Sequence, residues 1–405
     1  MAIHERSSPM QVVMVGPFGL RPHGTMSRRA LPLAKALAAR GHHVEVVLPP
    51  WSCPEDSDRA WNEVGVSVCN IALPPSIPVL RDVLIVWRLV RGALASHPQV
   101  LHFFKPKGYS GLAALLVWYL ARLRLVKARV VLDSDDREGR GGWNDVGDYS
   151  WLEKRFFSWQ EGWGMTHCHA LTLASRALES FALELTAGVE GVFYVPNGAT
   201  CEDGSADPRA GTMVRAQCGL GGDPVVLLLT RFFEFEPNRV MSILAQVMSD
   251  MPSTRLLVVG RGLFGEEERF LALAREAGLA SNVTYAGWRQ TDELAGYFAA
   301  SDLAVFPLED TLLNGARCPA RLVDLMAAGL PVVADDVGQA RQYIEHMSSG
   351  YLVPPGDTDA FATGVLRLLR DEELRSRLGR HARQRVTEEF AWHKLVIVVE
   401  RAYSG

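Results

Sequence analysis

The sequence predicts an α/β protein built as two doubly wound domains, each a parallel sheet covered by helices. Three observations predict it. Short continuous apolar runs alternate with stretches of helical periodicity along nearly the whole chain. The alternation breaks once, in the polar stretch ATCEDGSADPRAGT (199–212), and then restarts. The length, 405 residues, suits two or three domains at roughly 150 residues each.

The elements follow in order. Gln11–Val15 reads as a strand, followed by the loop GPFGLRPHGT. Ala30, Leu33, Ala34, Leu37 and Ala38 recur at helical spacing, and Gly41 ends that run. Pro32 inside it predicts a kink or a late start. Val44–Leu48 is the next strand, which completes a β–loop–α–β unit. Val66–Ile71, Val100–Phe104, Ala128–Leu132, Ala170–Ala174 and Val192–Val195 read as further strands. Val79–Ala95, Tyr109–Leu125 and Tyr149–Trp163 read as helices. Runs such as ALTLA are apolar throughout, as in a sheet covered on both faces. After the polar break, VVLLLT (225–230), RLLVVG (255–260), NVTYAG (282–287), DLAVFP (302–307), PVVA (331–334) and GYLVP (350–354) repeat the strand pattern, and Asp371–Tyr403 is mostly helical. In such sheets ligands bind at the carboxyl ends of the strands, which places function in a cleft between the halves.

Composition narrows the function. With 48 % hydrophobic and 22 % charged residues the chain is an ordinary folded protein. The net charge of −4 provides no positive field for nucleic acid. Six cysteines without a CxxC pair exclude a zinc knuckle or a dense disulfide framework. The first ten residues lack an apolar signal core, and no apolar run approaches about 18 residues. A soluble, cytoplasmic protein is expected. Lysine occurs only at 35, 105, 107, 127, 154 and 394. Any phosphate clamp within 198–393 therefore has to use arginine, backbone amides or helix ends.

Three places could hold phosphate. The strand VVLLLT delivers Arg231 just before a helix, where guanidinium and helix dipole act together on an anion. GRGLFG (260–265) matches G-x-G-x-x-G, with Gly260 and Gly262 letting a nucleotide approach the backbone. It follows the second strand of its half, and Asp292 lies too far on for the usual ribose acid, so a plain turn is the equal alternative. EDTLLNGARCPARLVDLMAAG (309–329) combines a glycine-containing loop with Pro319 at a helix start. There the amides of Thr311, Leu312, Leu313, Asn314, Gly315 and Ala316, with Arg317 and Arg321, are placed for a diphosphate, and Asp324 for ribose hydroxyls.

Other constellations compete. Asp133-Ser134-Asp135 spells DxD at a strand end, followed by Asp136. It reads as a metal site, as an acidic cluster facing acceptor or sugar, or as a solvated turn. The following REGRGGWND reads as a mobile polar loop. His167-Cys168-His169 reads as structural, since neighbours on a strand face opposite sides. Trp151, Phe156, Trp159 and Trp163, at near-helical spacing, read as core. Leu112–Leu125, apolar with a basic end, reads as a buried helix with a basic rim or as a helix resting on anionic lipid.

Taken together, the chain resembles the retaining, nucleotide-sugar-dependent glycosyltransferases of family 4. The residues that carry the resemblance are the glycine-containing first loop before LAKALAARGHHVEVV, VPNG closing the first half, and TRF at 230–232. The glycine loop after LLVVG, DLMAAGLPVVADDVG, EHMSSGYLVPPGD and FAW continue it. The resemblance implies the GT-B fold: two facing Rossmann-like domains with a cleft between them. Residues 1–198 would be the acceptor domain, 199–212 a linker, 213–385 the donor domain and 386–405 a helix packing back on the first.

It further implies a donor held by the later half. Arg231 matches the arginine of the family's diphosphate pair, whereas its lysine falls on Glu236, with Arg239, Arg317 or Arg321 as substitutes. Asp324 matches the second acid of the E-x7-E motif, and the first falls on Ala316. The family's glycine loop corresponds to Pro22–Thr25, including Gly24 and Thr25, and its catalytic-face region to Asp133–Asp136, with Asp135 and Asp136 as catalytic candidates. The implied reaction moves a hexose-type sugar to an acceptor hydroxyl with retention and without a metal or other cofactor. The acceptor is lipid-linked or a small molecule, with peripheral contact at the inner membrane face in the lipid case. A nucleotide-sugar epimerase or a degenerate nucleotide-binding module of the same fold is the alternative.

Overall fold

The computed structural model describes residues 8–22, 24–186, 191–200 and 208–404. His23 of the expected glycine loop and 201–207 of the expected linker lie outside the described residues, as do the first seven. The chain divides into two units. The first comprises Met1–Gly198, Ala316–Cys318 and Trp392–Gly405; the second comprises Ala199–Gly315 and Pro319–Ala391. The return to the first unit thus comes at Trp392, six residues after the expected 386, and 316–318 join it as well.

The first unit carries β1 (Gln11–Val15), α1 (Leu31–Ala39), β2 (His43–Leu48), β3 (Ala60–Glu63), β4 (Val66–Asn70), α2 (Leu80–Ala95), β5 (Val100–Phe104), α3 (Gly108–Arg122), β6 (Arg129–Ser134), α4 (Trp143–Val146), α5 (Trp151–Thr166), β7 (Ala170–Leu173), α6 (Arg176–Leu185) and β8 (Val192–Tyr194). Its sheet runs β3-β4-β2-β1-β5-β6-β7-β8. All neighbours are parallel except β3, which pairs antiparallel with β4. β3 is an exposed edge strand without apolar alternation, which is why periodicity does not announce it.

The second unit carries α7 (Pro208–Gln217), β9 (Val225–Thr230), α8 (Pro237–Asp250), β10 (Arg255–Gly260), α9 (Glu266–Glu276), β11 (Val283–Gly287), α10 (Leu294–Ala299), β12 (Leu303–Phe306), α11 (Leu312–Ala316, whose last residue belongs to the first unit), α12 (Ala320–Ala327), β13 (Val332–Asp335), α13 (Ala340–Tyr343), β14 (Tyr351–Val353), α14 (Thr358–Arg370) and α15 (Glu372–Glu389). Its sheet is parallel in the order β11-β10-β9-β12-β13-β14. The final helix, α16 (Trp392–Ser404), packs in the first unit against α1, β7 and β8.

Apolar side chains explain the layering. Val12, Met14, Val46 and Val68 meet Leu33, Leu37, Val396 and Val399 on one face of the first sheet. Alternate residues Val13, Val15, Val47 and Leu101 meet Ile85, Leu89, Ala114 and Val117 on the other, as a period of two requires. In the second unit Val226, Leu228 and Val258 pack with Ile243, Leu244, Phe270 and Phe361.

The α-helix starts late, at Leu31: a π-helical turn, Met26–Ala30, leads into α1, and Pro32 is the second residue of α1. Several local expectations need correction. Gly24 and Thr25 belong to that helical entry and not to an open loop. Residues 312–316 form the short helix α11 instead of a loop. REGRGGWND is tied down: Glu138 and Asn144 are buried, and the Glu161 carboxylate accepts from the amides of Glu138 and Gly139 at 2.7 and 3.1 Å. The aromatic series on α5 is not core, since Trp151, Phe156 and Trp159 are exposed.

Candidate functional site

In both units the chemistry-bearing side chains gather where parallel strands end. In the second unit β9 closes with Thr230-Arg231-Phe232. The Thr230 hydroxyl accepts from the Phe232 amide at 2.7 Å, and Phe232 takes a left-handed φ of 69°. Its ring is buried against Phe270 at 5.4 Å, so the bend holds firm and leaves Arg231 on the exposed side. Glu234, 3 % exposed, fastens this bend. Its carboxylate accepts from Thr230 Oγ1 and the Arg231 amide and pairs with the Arg321 guanidinium. Asn314 Nδ2 donates to the Glu234 carbonyl at 2.8 Å. The Arg231 amide and the Arg321 guanidinium therefore meet on one carboxylate, with Asn314 on the backbone carbonyl of the same residue; sequence reasoning missed Glu234, whose only sequence signal is a lone acid between the aromatics of FFEF.

The remaining arginines are committed elsewhere. Arg239 forms a two-pronged pair with fully buried Asp335 at 2.7 and 2.8 Å. Arg317 lies in the first unit, 3.8 Å from Asp136. Glu236, at the position where the family has lysine, caps α8 by accepting from the amides of Asn238 and Arg239 at 2.7 and 3.3 Å.

GRGLFG serves structure. Gly260 sits at φ 136°, and a Cβ there would lie 1.8 Å from the Thr230 carbonyl oxygen. The amides of Gly262 and Phe264 donate to Glu267 and Glu266 at 2.9 and 2.7 Å. Three glutamates open α9, so that helix start already has negative charge at its positive end. The start of α12 differs: it has no side-chain cap and no acid in its first turn, Arg321 is its second residue, and half-buried Asp324 follows. Within Thr311–Ala316, Asn314 and Leu313 are buried whereas Thr311 and Leu312 are exposed.

In the first unit, Lys105 ends β5 with a left-handed φ of 60° and a buried side chain. Its ammonium meets Asp135, Asp136 and Glu138 at 2.9, 2.9 and 2.7 Å. Thr25 Oγ1 donates to Asp135 at 2.7 Å. Burial lifts the Asp135 carboxyl against the pull of Lys105. At Asp136 burial pushes the same way, but Lys105 and Arg317 outweigh it and hold the carboxyl low. The three carboxylates could hold a cation; here the lysine ammonium lies among them. Beneath them Arg29, fully buried, makes a two-pronged pair with Asp133 at 2.7 Å on both arms and donates to Asn197 at 3.2 Å. Thr172 donates to the same Asp133 carboxylate and contacts His102, whose other nitrogen faces the Tyr403 hydroxyl at 2.8 Å. Burial drives His102 down to about 4, so it is neutral at physiological pH. Lys105, Glu138 and Arg29 were absent from the sequence-level site. The two lysines of KPK in a lysine-poor chain were a usable signal for Lys105; nothing in the sequence singles out Arg29 among so many arginines.

Two doubly wound units of mainly parallel sheet are the architecture of the GT-B class. The family comparison agrees. Residues 24–198 match the model of the glycosyl transferase 4-like domain and 223–371 that of the glycosyl transferases group 1, and the chain belongs to this family. It is a glycosyltransferase that uses a nucleotide-sugar donor. It is 26 % identical over 390 residues to the GDP-mannose-dependent alpha-(1-6)-phosphatidylinositol monomannoside mannosyltransferase of Mycobacterium tuberculosis, covering 95 % of each chain. It is 27 % identical over 408 residues to the phosphatidyl-myo-inositol mannosyltransferase of Mycobacterium leprae, covering 97 % of this chain and 96 % of the relative. Among solved structures, sucrose-phosphate synthase from Thermosynechococcus elongatus superposes with a TM-score of 0.73 at 21 % identity, covering 97 % and 98 % of the two chains.

Proposed function

We propose that this chain transfers mannose from GDP-mannose to a hydroxyl of an inositol-bearing lipid, with retention of configuration and without a metal ion. The observation that carries the transfer chemistry is the cluster at the end of β9, where Glu234 ties the Arg231 bend to Arg321 in the uncapped first turn of α12. Positive charge and amide dipoles held there stabilise a departing nucleoside diphosphate as the glycosidic bond breaks. The acceptor hydroxyl attacks from the face the diphosphate leaves, giving its proton to a departing phosphate oxygen, so no protein base is required. Lys105 supports the metal-free reading, since its ammonium already sits among the carboxylates of Asp135, Asp136 and Glu138, where a cation would have to bind. The choice of sugar and acceptor follows the two relatives matched over 95 % or more of this chain.

The test incubates the purified chain with GDP-mannose, or with UDP-, ADP- and TDP-sugars, and phosphatidylinositol in detergent, with and without EDTA. An α-linked mannolipid by NMR, formed equally with EDTA, supports the proposal. A β-linked product, EDTA sensitivity or turnover of a different donor alone would overturn the corresponding element. Arg231→Ala is expected to lower kcat about 100-fold with little change in KM, because the contact strengthens as charge develops.

A further inference from the structure

We infer that a buried chain of hydrogen bonds, running from the C-terminal helix, sets the residue that precedes α12 and makes Tyr403 and Asn197 positioning residues for the donor site. Its kinetic consequence rests on the donor reading proposed above. The direction of every bond in the chain follows from its members. Asp133, paired with Arg29, only accepts, so the single proton of the Thr172 hydroxyl goes to it at 2.6 Å. The Thr172 oxygen is left to accept from His102 Nε2, 3.0 Å away, which makes Nδ1 the acceptor for the Tyr403 hydroxyl at 2.8 Å. On the far side of Asp133, Arg29 reaches both carboxylate oxygens at 2.7 Å and gives its remaining arm to Asn197 Oδ1 at 3.2 Å. Asn197 Nδ2 in turn donates to the Cys318 carbonyl at 2.6 Å, and the Asn197 backbone N–H donates to Cys318 Sγ at 3.1 Å. All of these residues are buried, so breaking one link leaves its neighbour without a partner and without bulk water to replace it.

Cys318 is the last of three consecutive residues, Ala316–Cys318, that belong to the first unit. Each is held there. Ser175, the cap of α6, donates to the Ala316 carbonyl at 2.5 Å, Arg317 lies 3.8 Å from Asp136, and Asn197 grips Cys318 at both its carbonyl and its sulfur. One peptide bond further on stands Pro319, the N-cap of α12, and the first turn of that helix carries Arg321. The helix start has no side-chain cap, and the first amides of a helix have no partner inside it. The segment that leads in therefore helps to fix where the first turn lies. If that segment is loosened, donor binding has to order it again. Apparent affinity then falls by the fraction of molecules in the competent arrangement, while the complex once formed reacts as before. The signature is a rise in KM at nearly constant kcat, the reverse of the loss expected for Arg231→Ala.

The test measures hydrogen exchange of the full chain without ligand over 312–327, steady-state kinetics with GDP-mannose, and NMR of isotope-labelled histidine. His102 should carry its proton on Nε2. Tyr403→Phe and Thr172→Val each keep the packing and lose a hydroxyl. Both are expected to speed exchange over 316–324 and to raise the donor KM about fivefold, the scale of one hydrogen bond. Thr172→Ser should restore both readouts. Asn197→Ala should raise KM about tenfold, since Arg29 and the Cys318 carbonyl both lose a partner. Adding Tyr403→Phe to it should change little further, because the links act in series through Asn197. Glu400→Gln is the control: it frees the same helix from Arg40 and His42 without touching the chain. It should lower the thermal midpoint and leave exchange over 316–324 and KM as in the wild type. A His102 proton on Nδ1, unchanged exchange in both hydroxyl variants, or an equal rise in KM in Glu400→Gln overturns the inference. If exchange responds as expected while the wild type turns over no nucleotide sugar, the donor reading fails and the positioning of 316–318 stands.

Discussion

Arg29 and Asp133 illustrate how much a single pair can govern. Burial alone would lower the arginine, yet the facing carboxylate keeps it charged and raises its pKa. Arg29→Met would leave Asp133 as an uncompensated charge in a sealed environment, a loss of roughly 3–5 kcal/mol, read as a drop in the urea midpoint at unchanged slope. His102 makes a pH prediction. Its folded value of about 4 lies below its ordinary 6.5, so the unfolded chain binds the extra proton first. Stability from this group is complete above about 6.5 and is lost as pH falls toward 4. Asp135 and Glu161, lifted by burial, act with the opposite sign. The informative quantity is therefore the difference between wild type and His102→Gln, whose free energy of unfolding should flatten over that window while the wild type declines.

At the scale of elements, the glycine loop after β10 has a structural job of its own. Gly260 lets the β10 terminus pass the Thr230 carbonyl, and Glu266 and Glu267 accept from the amides of Phe264 and Gly262. Gly260→Ala should therefore destabilise the second unit by about 3 kcal/mol or more, through clash and backbone strain together. The check is thermal unfolding of the variant, and a fully stable Gly260→Ala that had lost only donor affinity would restore the nucleotide-approach role. Glu236 follows the same logic. A glutamate where the family has lysine looks like a lost phosphate contact, but it is a helix cap, while Arg321 on α12 pairs with Glu234, whose carboxylate also accepts from the Arg231 amide.

At the scale of the molecule, both sheets are parallel apart from the edge strand β3, and both present polar side chains at the strand ends, where ligands of this architecture bind. The donor reading concerns the second unit alone. A nucleoside diphosphate that binds only the native form adds about 2.7 kcal/mol at a concentration 100 times its Kd. A melting series with GDP, UDP, ADP and TDP is expected to show the largest rise with GDP, and Arg231→Ala should lower that rise without removing it, because free GDP carries the charge that the leaving group only develops in the transition state.

The sequence by itself determined the repeating strands and helices, because apolar runs of four to six residues bounded by glycine, proline and polar turns leave few other folds. It also determined the family, through TRF, VPNG and DLMAAGLPVVADDVG in their order. It marked Arg231, Arg321, Asp135 and Asp136 as residues of interest. Only the tertiary structure decided what each of them faces. Asp135 and Asp136 meet a lysine about thirty positions away in the chain, Arg321 meets a glutamate that no motif contains, and the aromatics of α5 turn outward although their spacing reads as core. The reason is physical: periodicity records that a helix has an apolar face, whereas the side on which that face lies is set by neighbours brought together from distant parts of the chain.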